Sequence, residues 1–202
     1  LSDAKRAAGK RLDEIRLHGE NSELKDEVTD LARKYGIVTP YTAYLIVEDE
    51  DRRRVPLAMQ TLPQVYSDTA ARREAADNWS AFRRRSDGEQ AVAGARYGMA
   101  LKSANAPAAA SADSLAEAHR GLGLTRSSGS TAASPVEESK LRLAQASTQN
   151  QFVAGRNFFQ NDKQWIDAEV QKLQNAKRQR IQFNSAEYFA FAAKNTQALP
   201  WL

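Results

Sequence analysis

His18 and His119 are the residues best suited by type to hold a metal, yet nothing in their spacing gathers a ligand set. His18 stands at a helix break, where capping or solvent exposure accounts for it. Carboxylates are plentiful in "LDEIR", "VEDED" and "SDGE", and paired acids can perform acid–base chemistry. Here they fall at helix starts and exposed turns, where they offset backbone dipoles. The chain has no cysteine and no Gly-x-Ser-x-Gly elbow, so nucleophilic catalysis has no recognisable machinery. "HRGLGL" lacks the Lys-Ser/Thr ending of a phosphate-binding loop and follows no strand. No catalytic, cofactor-binding or metal residue is assigned, and a non-enzymatic role is expected.

Basic residues offer a second chemistry. Arg52–Arg54, Arg83–Arg85 and "KRQR" at 177–180 form a phosphate-binding face if the fold gathers them. Trp79, Phe82 and Trp165 then become candidates for stacking bases. Against this, each cluster has acids beside it, and the three-residue spacing of Trp79 and Phe82 suits a core-facing helix edge. The whole chain carries 29 basic and 25 acidic side chains, a net charge of +4. That balance does not single out a nucleic-acid binder.

These groups must be positioned by a chain of 202 residues, 42% hydrophobic and 8% aromatic, enough for one compact domain or two small ones. No apolar run is long enough to span a membrane. Residues 4–17 read as a helix with Leu12 and Ile15 on its apolar side. After "HGENS", Asn21 or Ser22 caps a second helix whose stripe is Leu24, Val28, Leu31 and Tyr35. Gly36 stops it, and Pro40 forbids its continuation. "YTAYLIVE", 41–48, is apolar without alternation and reads as a strand covered on both faces.

Residues 56–66 read as irregular, and helix resumes from Ser67 or Asp68 to about Arg85. "SDGE" at 86–89 is a capping box opening a further helix, with Gly94 and Gly98 marking close packing. The Ala/Ser-rich stretch 105–150 reads as a linker, with a weak helix from Ser134 or Pro135. A hairpin is expected around Asn161-Asp162, then a strand at Ile181–Phe183 and a helix capped by Asn184 and Glu187. The fold class is therefore α+β and mainly helical: a helix–strand segment (1–50), a helical region (51–104), a linker (105–150) and a small α+β module (151–202).

The segment "LDEIRLHGENSELKDEVTDLARKYGIVTPYTAYLIVEDE", 12–50, resembles bacterial proteins that join a VIT domain to a von Willebrand factor A domain, relatives of the inter-alpha-trypsin inhibitor heavy chains. Weaker similarity runs through "SDGEQAVAGARYGMALKSA", "GRNFFQNDKQWIDAEV" and "IQFNSAEYFAF". The resemblance implies an exported chain, periplasmic or at the cell surface, with VIT and A domains upstream. It places the divalent metal in that A domain, so no cofactor is expected in residues 1–202. It further implies that strand 41–48 completes an upstream β-domain. One departure stands out: "LSDAKRAAGKR" replaces bulky apolar residues of the family, so the face around Asp3, Ala8, Lys10 and Arg11 is expected to be wet. The implied function is a non-catalytic interaction or scaffolding region with a protein partner. The alternative is a module for an anionic partner, nucleic acid or polyanion, through the arginine clusters.

Overall fold

Helix formation begins with a stripe of small and branched residues four or three apart. Ala4, Ala8, Leu12 and Ile15 are buried along α1 (Ser2–His18). A computed structural model describes residues 2–84, 135–146, 149–173 and 177–202, with helical positions at 92, 95, 96 and 99. Asp3 and Lys10 are exposed, as expected of a wet face, but Ala8 is fully buried. Its methyl group is small enough to let α1 lie close against α2 (Ser22–Tyr35). Asn21 caps α2 by accepting the Leu24 N–H at 2.8 Å. Gly36 ends it in the left-handed conformation, φ 66.

Residues 41–48 are not a strand. They lie within α3 (Pro40–Arg52), and the signals that start this helix explain why. Thr39 is the N-cap, its hydroxyl accepting the Tyr41 and Thr42 N–H groups, while Thr42 Oγ1 accepts the Thr39 N–H. Pro40 sits at the first helical position, where a missing N–H costs nothing. The proline that ends one helix thus begins the next. The absence of alternation reflects a helix buried on opposite sides rather than a doubly covered strand. Ala43, Ile46 and Val47 join one hydrophobic cluster, and Tyr41 and Leu45 join another, with Tyr44 packed against both. Burying each such large side chain is worth about 2 kcal/mol.

A 3-10 turn (Leu57–Met59) and the short α4 (Pro63–Ser67) occupy the stretch expected to be irregular. Asp68 then caps α5 (Thr69–Arg84) by accepting the Ala70 and Ala71 N–H groups. Ala71, Ala75, Trp79 and Phe82 face inward, and α5 packs on α3. Tyr41 and Phe82 rings meet at 4.4 Å. The capping box at 86–89, Gly94, Gly98 and residues 105–134 lie outside the described residues.

A helix stands where a weak one was expected from Ser134 or Pro135. Residues Pro135–Ala146 form α6, and Leu143 and Ala146 are buried in the same cluster as Ile46 and Ala75. Two apolar residues three apart were enough to anchor a helix whose composition looks like a linker. Beyond it, β1 (Asn150–Val153), β2 (Arg156–Asn161) and β3 (Gln164–Asp167) form an antiparallel sheet in that order. The second hairpin turns at Asp162, φ 55, next to the expected position. The first turns through Ala154 and Gly155, both at positive φ, as a two-residue primed turn requires.

Along β2 the period of two brings Asn157, Phe159 and Asn161 onto the helical body. Phe159 enters the core. Asn157 Nδ2 donates to Arg33 O at 2.9 Å, and Asn161 Nδ2 donates to Leu57 O and Gln60 O. The sheet therefore packs directly onto the helical core. Residues 181–183 form no strand; a 3-10 turn (Val170–Lys172) precedes them and α7 (Ala186–Lys194) follows. Its cap is Ser185, which accepts the Tyr188 N–H at 3.1 Å, because Asn184 is turned into the left-handed region at φ 60. A last 3-10 segment spans Thr196–Trp201.

Candidate interaction site

A buried ionic seam holds the body and sheet together. Arg33, on the inner face of α2, is 2% exposed, and Glu50, on α3, is fully buried. Arg33 Nη2 donates to Asp49 Oδ2 at 2.7 Å, and its Nε lies 3.8 Å from Glu50 Oε1. Glu50 is satisfied by the loop and by the 3-10 turn after the sheet: it accepts from Thr61 N, Thr61 Oγ1 and Gln171 Nε2. Burial pushes the Asp49 carboxyl up, but hydrogen bonds from Arg33 and Arg52 and the charge of Arg53 outweigh it. Its pKa lies below the ordinary carboxylate value. An Arg and two acids packed this way form a structural clamp, since both acids accept hydrogen bonds from within the protein and neither is left without a donor.

The arginine clusters are only partly gathered. Arg52 meets Asp26 and Asp49 at 3.2 and 3.1 Å, and Arg53 meets Asp49 at 2.8 Å. Arg83 pairs with Glu20 at 2.6 Å. Arg178, from the third cluster, reaches Met59 beside Arg53 and Arg54. Trp79 and Phe82 are buried and stack on each other and on tyrosines, so they offer no face to a base. Trp165 stands exposed on β3, away from them in the fold.

His18 ends α1, where a cation is favourable, and His119 is outside the described residues. Among the described residues no group of three His, Asp or Glu side chains is placed to hold a metal. No described helix is long and apolar enough to cross a membrane.

Two open surfaces among the described residues have an apolar character. Between α3 and α5 lies a groove of about 350 Å³ with Tyr44, Val47, Val65 and Ala75 in its lining. Its rim carries Glu48 and Asp51 against Arg72 and Arg73, a neutral balance. Arg72 stacks on Tyr66 at 5.3 Å, and the Tyr66 hydroxyl donates to Asp51.

The other surface is the C-terminal end. Phe183 is 73% exposed and Phe189 58%, with Tyr188 edge-on to both at 5.1 and 5.5 Å. Leu199 and Leu202 are exposed beyond them. This end is tied to the sheet by Trp201, whose Nε1 donates to Val153 O at 2.8 Å while Arg156 lies over its ring at 4.5 Å. The expected helix is present, and the structure adds that its aromatic rings face outward. The apolar spacing in "YFAF" looks the same whether covered or bare.

No family model, curated protein or solved structure matches the chain.

Proposed function

We propose that the chain is a non-catalytic interaction and scaffolding region of an exported bacterial VIT–von Willebrand A-type protein, working at the periplasmic or cell-surface side. The family part of this reading rests on the similarity of residues 12–50. The role once implied for a strand at 41–48 is gone, since those residues are helical and find their partners within the chain. What replaces it is a helical platform that displays an aromatic end.

One observation carries the interaction reading: Phe183 and Phe189 stand in solvent on a segment fixed to the sheet through Trp201. Exposed rings grouped around Tyr188 cost solvation and are what a protein partner buries. The partner to test first is the polypeptide's own upstream VIT and A domains. Titrating the purified VIT–A portion with this chain is expected to give saturable binding. Phe183→Ala with Phe189→Ala should weaken it at least about tenfold and leave the melting temperature unchanged. A reading frame without VIT and A domains before Leu1 would sink the family assignment. Equal binding by the double variant would sink the role of the aromatic end.

A further inference from the structure

Helix α3 ends in a reverse turn with an unusual occupant. The Arg54 N–H donates to Asp51 O and the Val55 N–H to Glu50 O, at 3.0 and 2.9 Å. This is the paired closure in which the residue after the cap turns left-handed, a place that glycine fills without strain. Here it is Arg54, φ 54. Backbone strain of this kind at a charged side chain is an observation that asks for a use of that side chain.

The surroundings supply one. Arg53, Arg54, Val55, Pro56, Met59 and Gln171 line a cleft of about 450 Å³, within the range of small-molecule sites. Arg178 reaches the same wall from the C-terminal segment, its Nη2 donating to Met59 Sδ at 2.9 Å. Arg33, Arg53, Arg83, Arg142 and Arg156 each meet a carboxylate. Arg54 and Arg178 meet none among the described residues, and a thioether leaves the Arg178 charge uncompensated. Arg54 in the lining and Arg178, in contact with the lining residue Met59, therefore carry charge that no carboxylate among the described residues offsets. The neighbouring cations, Arg52 and Arg53, are already neutralised by Asp26 and Asp49, so the positive ground is short. It suits a compact anion rather than an extended polyanion.

We propose that this cleft binds a small organic anion, a carboxylate or phosphate group carried on an apolar body, with Arg54 and Arg178 on the anion and Val55, Pro56 and Met59 against the body. The site is separate from the aromatic end and does not depend on it.

Phenyl phosphate, benzoate and inorganic phosphate are the probes, titrated into the full chain at low salt with the Met59 methyl resonance followed by NMR. Phenyl phosphate and benzoate are expected to shift that resonance saturably and to bind more tightly than inorganic phosphate. Arg178→Gln should weaken phenyl phosphate at least about tenfold, the loss of one charge-assisted contact. Arg54→Gly should weaken it similarly while raising the melting temperature, because it relieves the turn. A higher melting temperature with unchanged affinity would assign Arg54 a purely structural place and overturn the proposal. So would a silent Met59 resonance, or unaltered binding by Arg178→Gln. Inorganic phosphate binding as well as phenyl phosphate would overturn the apolar half of the site.

Discussion

At the scale of single residues, Asp49 in the seam with Arg33 ties stability to pH. Arg33 is buried against Asp49, so removing that acid leaves a cation inside the protein with its best partner gone. Asp49→Asn is expected to cost about 3 kcal/mol at neutral pH, read from urea unfolding. The pH dependence follows from the lowered folded-state pKa of Asp49. A depressed carboxylate stabilises fully above its unfolded value of about 3.9 and loses that contribution as pH falls through the folded value. The gap between the parent chain and Asp49→Asn should therefore be constant from pH 5 upward and shrink below about 4. A gap that stays constant down to pH 2 would show that Asp49 is not the titrating group. The residues themselves carried a signal for this seam. Glu50 follows Ala43, Ile46 and Val47 at helical spacing, but that alignment appears only once 41–52 is read as a helix.

The element scale shows why that reading was hard to reach. β-Branched and aromatic residues favour strands by modest amounts, whereas Thr39, Pro40 and Thr42 act together as one helix start. The strand expectation weighed the side chains and used Pro40 only as a stop. The stops and caps that depend on two or three local residues were legible: Asn21, Gly36 and the turn at Asp162. Those that depend on distant partners were not, as with Asn157 capping α2 from the sheet, and the burial of Leu143 in α6 was hidden for the same reason.

Gly36 joins both kinds. A Cβ there would collide with Asn150 Oδ1 and lie 2.7 Å from Asn157 Oδ1, on a backbone already at φ 66. Gly36→Ala should cost about 3 kcal/mol, combining left-handed strain with overpacking between α2 and the sheet. Ala154 presents the opposite case, a side chain at φ 46 in an open turn. Ala154→Asn, giving the Asn-Gly pair that such turns favour, should raise the unfolding free energy by about 0.5–1 kcal/mol, read as a higher urea midpoint with an unchanged slope. No gain would mean that Ala154 does not hold the primed-turn geometry in solution.

Across the whole molecule, packing is graded from the centre outward. Helix α3 is enclosed by two hydrophobic clusters that meet across Tyr44, while α7 has no fully buried residue. Opening α3 means dismantling both clusters together with the Arg33–Glu50 seam, so its amides should exchange only through global unfolding. Opening α7 means releasing the Trp201–Val153 hydrogen bond and the Arg156 stack, contacts worth about 1–2 kcal/mol together. Native-state hydrogen exchange should therefore divide the chain, with slow amides at 43–51 and fast ones at 188–194. Trp201→Ala should speed the second group several-fold and leave the first unchanged. If the α7 amides instead exchange as slowly as those of α3, the aromatic end is covered by the body. Phe183 and Phe189 would then have no surface to offer, and the display on which the interaction reading depends would not exist.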